Sequence, residues 1–457
     1  MHQLKPKYSL LTAICLVVGI VVGTGVFFKA GAVLGEVNGN LWYAILAWVV
    51  GGLIMLISCF NFSTIALIKP EANSMMDFAK VTVGKNFAYY VGIFAKYIYF
   101  PAMTATVSFV SSMYFCELLN IKGESFPFSL NVFLLALTFL TVFAAFNIFA
   151  PLISGKFQIS TTFIKMIPLI LMAVVGIIAG LINNTLQDNF LGGTISNTGN
   201  GFFAAVCVTA FSYEGWICAT NIGGEIKNKE KNLPLALLIG TMIVILIYIT
   251  YNIGLSGAIS NEELINGNSA ETVKLAFSNL FGGIVSSLLI LVVTISAFGT
   301  LNGLTMANSR NAYLFASNDE GLCKEKFLKV TKRNVPYVSS VFGYLLAVIW
   351  LLYYFYSQTN DKANGVGFPF SSDELPIITT YLLYIPMLVA LIIKGKELSI
   401  FKRYVIPSFG IVAAIFMIIA SIYRHKLYTL NYLAFFISVM FIGFLVKLIK
   451  MKVENRN

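Results

Sequence analysis

The sequence predicts an all-α membrane protein with twelve transmembrane helices, ordered as two inverted five-helix repeats whose first and sixth helices are broken. Three observations carry that prediction. Of 457 residues, 58% are hydrophobic and only 11% are charged, with a mean hydropathy of +0.82; a soluble domain of this length does not sustain that composition. The apolar residues fall into twelve runs, each long enough for the roughly 20 residues that cross a bilayer. Two of those runs are interrupted at the middle, and paired interruptions in corresponding halves are the best sequence pointer to a transporter's binding site.

The runs lie near 10–34, 41–68, 83–118, 127–149, 154–183, 200–226, 233–258, 281–312, 336–357, 375–394, 403–423 and 428–450. In the first, Val22-Gly23-Thr24-Gly25-Val26-Phe27 places two glycines where a spanning helix should be most regular. A break there leaves backbone N–H and C=O groups without helical partners, which is tolerated only where they are buried in protein or line a cavity. The sixth run is interrupted by Phe211-Ser212-Tyr213-Glu214-Gly215-Trp216. Counting from these two breaks gives one repeat over about 10–183, a second over about 200–394, and two additional helices over about 403–450, all in a single transmembrane domain spanning 1–457. The first run is too long for a cleavable signal and leads straight into the body of the protein. The stretch 357–374, with Asn, Asp, Gly and Ser, reads as an outer loop, and the polar, basic stretch 317–336 as short inner helices.

The formal net charge is +11. Most Lys and Arg fall in the N-terminal tail, one set of alternate loops and the C-terminal tail, which is the positive-inside pattern of a plasma (inner) membrane protein with both termini cytoplasmic. Arg424 and Lys426, beside His425 on the last outer turn, are the exception. The basic clusters at 227–231 and 324–333 therefore read as topology determinants and not as a nucleic-acid surface. Six scattered cysteines, Cys15, Cys59, Cys116, Cys207, Cys218 and Cys323, form no disulfide framework. His2 and His425 lie near opposite ends of the chain, so no zinc spacing is present. No metal or cofactor is expected, and no arrangement of His, Cys, Ser or carboxylates suggests an enzyme.

Several separated segments together resemble the amino acid–polyamine–organocation superfamily, specifically its L-type amino acid transporter branch. They are Gly23-Thr24-Gly25-Val26-Phe27, residues 155–165 followed by Ile167-Pro168-Leu169, Phe211 to Trp216, Glu225-Ile226-Lys227-Asn228 with Lys231-Asn232-Leu233-Pro234, and residues 299–310. The resemblance implies a LeuT-like fold and alternating-access exchange of neutral L-amino acids without sodium. It implies that Gly23, Thr24 and Gly25 hold the substrate carboxylate, with Val26 also in the substrate site, consistent with the attraction of a half-helix N-terminus for anions. Backbone groups of Phe211, Ser212 and Glu214 would take the amine, with Phe211 also closing over the substrate as a gate. Gly23 and Gly25 equally fit close helix packing.

Lys165, flanked by Phe163-Ile164 and Met166-Ile167, costs several kcal/mol in apolar surroundings unless paired or hydrated, so it should face the bundle interior. By resemblance it stands in for the carried cation of sodium-coupled relatives, linking the broken first helix to polar groups of the eighth near Ser296. Glu214 could act as a proton acceptor, a counter-charge or a cap, and Lys96 is its suggested partner. Lys29 reads as a snorkelling residue. Two departures stand out: Asn73-Ser74 replaces a usual glycine pair, and the second outer loop, 120–127, lacks the cysteine that human-type members use to hold an accessory glycoprotein. No such subunit is expected. The rival functions are proton-coupled uptake through Lys165 or Glu214, transport of cationic amino acids or polyamines, and a sensor that binds without transport.

Overall fold

The computed structural model describes residues 9–68, 74–121, 126–192, 198–217, 226–321, 323–333, 335–359 and 369–454. These are almost entirely helical. In chain order the helices are α1 (Leu10–Val21), α2 (Gly25–Glu36), α3 (Leu41–Ile68), α4 (Met75–Thr82), α5 (Lys85–Leu119), α6 (Leu130–Phe149), α7 (Pro151–Ile182), α8 (Thr185–Leu191) and α9 (Thr198–Ser212). They continue with α10 (Lys229–Ala258), α11 (Asn261–Asn266), α12 (Ser269–Phe281), α13 (Gly283–Ser317), α14 (Lys324–Leu328), α15 (Tyr337–Thr359), α16 (Leu375–Lys394), α17 (Phe401–His425) and α18 (Leu427–Glu454).

Ten of these, α3, α5, α6, α7, α10, α13, α15, α16, α17 and α18, are long and apolar enough to cross a membrane. The two expected runs missing from that set are the first and the sixth. The first is split into α1 and α2, each of 12 residues. In the sixth, α9 stops at Ser212 and a turn follows. The rest of that run, 218–225 with Cys218 and Glu225, lies outside the described residues, as do 69–73, 122–125 and residues 360–368 of the stretch expected to be an outer loop.

Local chemistry sets several boundaries. The third run was expected from residue 83, but Gly84 (φ +134°) turns the chain between α4 and α5 in a conformation that L side chains rarely adopt. Ser74 caps α4, its hydroxyl accepting from Asp77 N–H at 3.1 Å. Within α5 a π-turn at Ala95–Tyr99 widens the helix, a feature frequent at functional sites. It carries Lys96 and Tyr99, both buried. Pro151 opens α7, where its missing N–H costs nothing. The stretch expected to hold short helices contains one, α14.

Small residues let the helices approach closely. A Cβ built on Gly176 would lie 2.2 Å from Gly254 O, and one on Gly180 would lie 2.5 Å from Gly257 Cα. Lipid supplies no hydrophobic drive for helices to associate, so such backbone-to-backbone contacts carry the packing. They fix α7 against α10, and thereby the height of Lys165 beside the first break.

Candidate functional site

The first break occupies residues 22–24. Val22 N–H still donates to Val18 O at 2.8 Å, and Phe28 N–H donates to Thr24 O at 2.9 Å. Between them, the first turn of α2 presents N–H groups that have no intrahelical acceptor. Thr24 stands at the cap position, but its side chain makes no capping bond. Gly23, Thr24, Gly25 and Val26 are all buried. A helix N-terminus inside the protein attracts an anion.

The second break follows Ser212. Tyr213, Glu214 and Gly215 form a turn, which Gly215 permits with φ +108°. The two breaks touch. A Cβ on Gly25 would lie 2.5 Å from Ser212 Cα, and one on Gly23 would lie 2.8 Å from Thr300 Oγ1 of α13. Both glycines thus have a packing reason to be small, whatever else approaches them. The Tyr248 hydroxyl of α10 lies 3.0 Å from Val21 O and 3.1 Å from Ser212 O, so a single side chain spans the loose ends of α1 and α9. Around this junction, the hydroxyls of Ser212 and Ser296 are buried and have no hydrogen-bond partner among the described residues. Buried polar groups are normally satisfied, so orphans are notable where a polar ligand is expected.

Lys165 interrupts α7 and is fully buried, with its ammonium donating to Gly19 O near the end of α1. The link to the broken first helix is therefore direct. The expected link to the eighth run is not: Ser296 is buried, but its hydroxyl bonds to nothing described, Lys165 included. Glu214 is buried and accepts from the Tyr99 hydroxyl of the π-turn. The suggested partnership with Lys96 is overturned. Lys96 points into a ring of aromatics, its Nζ 4.7–5.1 Å from the centroids of Tyr97, Phe315, Phe327 and Phe342. Cation–π attraction in a desolvated site replaces the ion pair. These rings help line a cavity of about 500 Å³ bounded also by Trp350 and Glu320.

Phe211 meets Phe28 edge to face, with centroids 6.0 Å apart, and Lys29 Nζ lies 5.3 Å from its ring. Lys29 itself corrects a second expectation. It is buried instead of snorkelling, bound at 2.7 Å to both Asp373 Oδ2 and Glu374 Oε1 just before α16. Arg424, the exception to the expected charge pattern, pairs with Glu374 at 2.7 Å and with Glu36, while His425 Nε2 lies 3.1 Å from Glu374 Oε2. Burial alone would raise the Asp373 pKa, but the adjoining Lys29 ammonium and the Ser371 hydroxyl hold it down to about 2. Cys207 of α9 lies beside Glu374 and His425, which sequence spacing gave no means to foresee.

Sequence reasoning also missed Tyr248, Tyr99 and a polar knot of Asn147, Ser154, Gln158 and Asn302 joining α6, α7 and α13. In that knot Asn302 Oδ1 accepts from Asn147 at 3.0 Å and Ser154 at 2.8 Å, and Asn302 Nδ2 donates to Gln158 Oε1 at 3.2 Å. One usable signal was the phenol itself, since a tyrosine inside an apolar run needs a partner for its hydroxyl.

The chain is similar to known transporters along most of its length. A family model described as amino acid permease matches residues 8–446. The serine/threonine exchanger SteT of Bacillus subtilis (strain 168) is 30% identical over 410 residues, covering 89% of this chain and 87% of that protein. The cystine/glutamate transporter of Homo sapiens is 26% identical over 353 residues, covering 76% and 68%. The human large neutral amino acids transporter small subunit 2 is 24% identical over 373 residues, covering 80% and 67%. With paired helix breaks in an all-α membrane protein and a family model that spans nearly the whole chain, this protein belongs to the amino acid permease family of the amino acid–polyamine–organocation superfamily.

Proposed function

We propose that this permease exchanges neutral L-amino acids across the plasma membrane, independently of sodium, by alternating access. In this reading α1 with α2, and the sixth run, add two broken crossings to the ten continuous ones, giving a twelve-helix LeuT-like fold. Its repeats are 10–183 and 200–394, 403–450 are additional helices, and both termini are cytoplasmic. The substrate carboxylate meets the N-terminus of α2 at Gly23, Thr24, Gly25 and Val26. Its ammonium meets backbone groups of Phe211, Ser212 and Glu214, with Phe211 as the gate. Lys165 supplies the fixed positive charge that a carried cation would otherwise bring, with Ser296 as its polar neighbour in the eighth run. The protein acts without an accessory glycoprotein. The observation that carries the reading is the junction itself: two helix breaks in contact, spanned by Tyr248 and held from α7 by Lys165. Its likeness to a relative named as a serine/threonine exchanger supports small neutral substrates and the exchange mode.

The test is uptake of labelled serine and threonine into proteoliposomes. Vesicles preloaded with unlabelled neutral amino acid should take up label several-fold faster than empty ones, whether or not a sodium gradient is imposed. The buried Glu214–Tyr99 contact favours one second reading, proton-coupled uptake. If an inward proton gradient drives uphill accumulation into empty vesicles, and Glu214→Gln removes that drive, symport replaces exchange.

A further inference from the structure

Among the described residues, and counting His425 as neutral, the charge cluster beyond Phe211 holds three carboxylates, Glu36, Asp373 and Glu374, to two cations, Lys29 and Arg424. Lys29 is served by Asp373 and Glu374, and Arg424 by Glu36 and Glu374. Each cation therefore keeps a carboxylate of its own if Glu374 is given to something else. A surplus negative charge in a buried site calls for a further positive one, because burial strengthens the attraction and leaves little water to replace it. Two further groups face Glu374. His425 Nε2 lies 3.1 Å from its Oε2, and the Cys207 sulfur, the histidine nitrogen and a Glu374 oxygen all lie within 4.8 Å of one another. Thiolate, imidazole and carboxylate are the ligand types that Zn²⁺ takes, at about 2.0–2.3 Å. Rotations that bring the three donors about an ångström closer are enough to match such bond lengths.

We propose that Cys207, Glu374 and His425 form a binding site for a thiophilic divalent cation, Zn²⁺ or Cd²⁺. On binding, the metal–sulfur bond forms as the Cys207 S–H bond breaks and its proton leaves to solvent, the usual reason that such sites bind metal with proton release. The three ligands come from α9, from the turn before α16 and from the end of α17. A bound ion ties the half-helix that ends at Ser212 to two neighbours outside the site, and so holds the Phe28–Phe211 side of the junction shut. Metal there is an inhibitor of movement and takes no part in substrate recognition.

The experiment uses purified full-length protein in which the other five cysteines are replaced, Cys15, Cys218 and Cys323 by serine and the buried Cys59 and Cys116 by alanine, so that Cys207 is the one thiol that can answer. Micromolar Zn²⁺ or Cd²⁺, but not Mg²⁺, should raise its melting temperature by a few degrees, since a ligand that binds only the folded state stabilises it. EDTA should reverse the shift. In proteoliposomes the same ions should slow exchange several-fold. Cys207→Ala and His425→Gln should each weaken the apparent metal affinity at least about ten-fold, as loss of even indirect metal contacts does. The His425 variant is the safer of the two to fold, because glutamine keeps a hydrogen-bonding group toward Glu374. No thermal shift in the parent protein, or an undiminished shift in either variant, overturns the assignment. The thermal readout needs no transport activity, so the proposal stands or falls apart from the exchange reading.

Discussion

At the scale of single residues, the junction depends on two side chains that reach across it. Lys165 donates to Gly19 O from a fully buried position. Truncating it strands that carbonyl and leaves a cavity, and an unsatisfied buried group costs about 1–3 kcal/mol. Lys165→Ala should therefore abolish exchange while lowering the melting temperature only moderately; wild-type flux in folded Lys165→Ala protein would remove the lysine from the mechanism. Tyr248→Phe deletes one oxygen and keeps the ring. It should lower exchange about five-fold or more, because Val21 O and Ser212 O lose their common donor at a cost of about 1–3 kcal/mol. Unchanged kinetics in Tyr248→Phe would mean that the breaks are held by other contacts. Gly25, by contrast, is a poor probe of ligand binding. Any larger residue meets the Ser212 backbone first, so a loss of binding in Gly25→Val would not distinguish carboxylate from packing.

At the scale of elements, α2, α16 and α17 are joined by the ion cluster around Glu374. The Asp373 carboxyl there is held at about 2, below its unfolded value of about 3.9. The sign follows from linkage. A carboxylate with a depressed native pKa contributes stability above its unfolded pKa, and that contribution is lost as pH falls through the native value. The contribution should accordingly be constant from about pH 5 to about pH 8 and disappear only in strong acid. Thermal melts of wild type and Asp373→Asn across that range should give parallel curves; a difference that grows or shrinks between them would place the carboxyl in another environment. A different element pair, α7 and α10, depends on shape alone. Gly176→Leu should prevent their approach and lower yield and stability together, because the new side chain meets Gly254 backbone and not a flexible neighbour.

At the scale of the whole molecule, ten membrane-length helices accompany two short half-helices and a turn, and the backbone at both breaks, residues 21–27 and 211–216, is buried. That arrangement is what makes irregular backbone affordable in a membrane. The polar knot on Asn302 and the glycine contacts between α7 and α10 keep the surrounding frame rigid. The broken elements are held differently, by single hydroxyls, one ammonium and ion pairs. Interactions of that kind exchange between two arrangements more readily than a packed interface does. The exchange assay with preloaded vesicles tests this division, since both halves of the cycle must then run with substrate bound.

The sequence by itself determined the class of the protein, because hydropathy over roughly 20 residues is a local property that lipid enforces. It also determined where the helices break, because Gly23, Gly25 and Gly215 carry the backbone freedom in their own composition. Lys165 was legible for a related reason: a lysine among Phe163, Ile164, Met166 and Ile167 has no stable place but the interior. Partnerships were not legible. Lys96 met four rings and not Glu214, Glu214 met Tyr99, and Lys29 met two carboxylates about 345 positions away. Cys207, Glu374 and His425 are likewise scattered along the chain and adjacent in space. Only the tertiary structure decided these, because a buried charge must be compensated by whatever side chain the packing delivers, and local sequence does not encode which one that is.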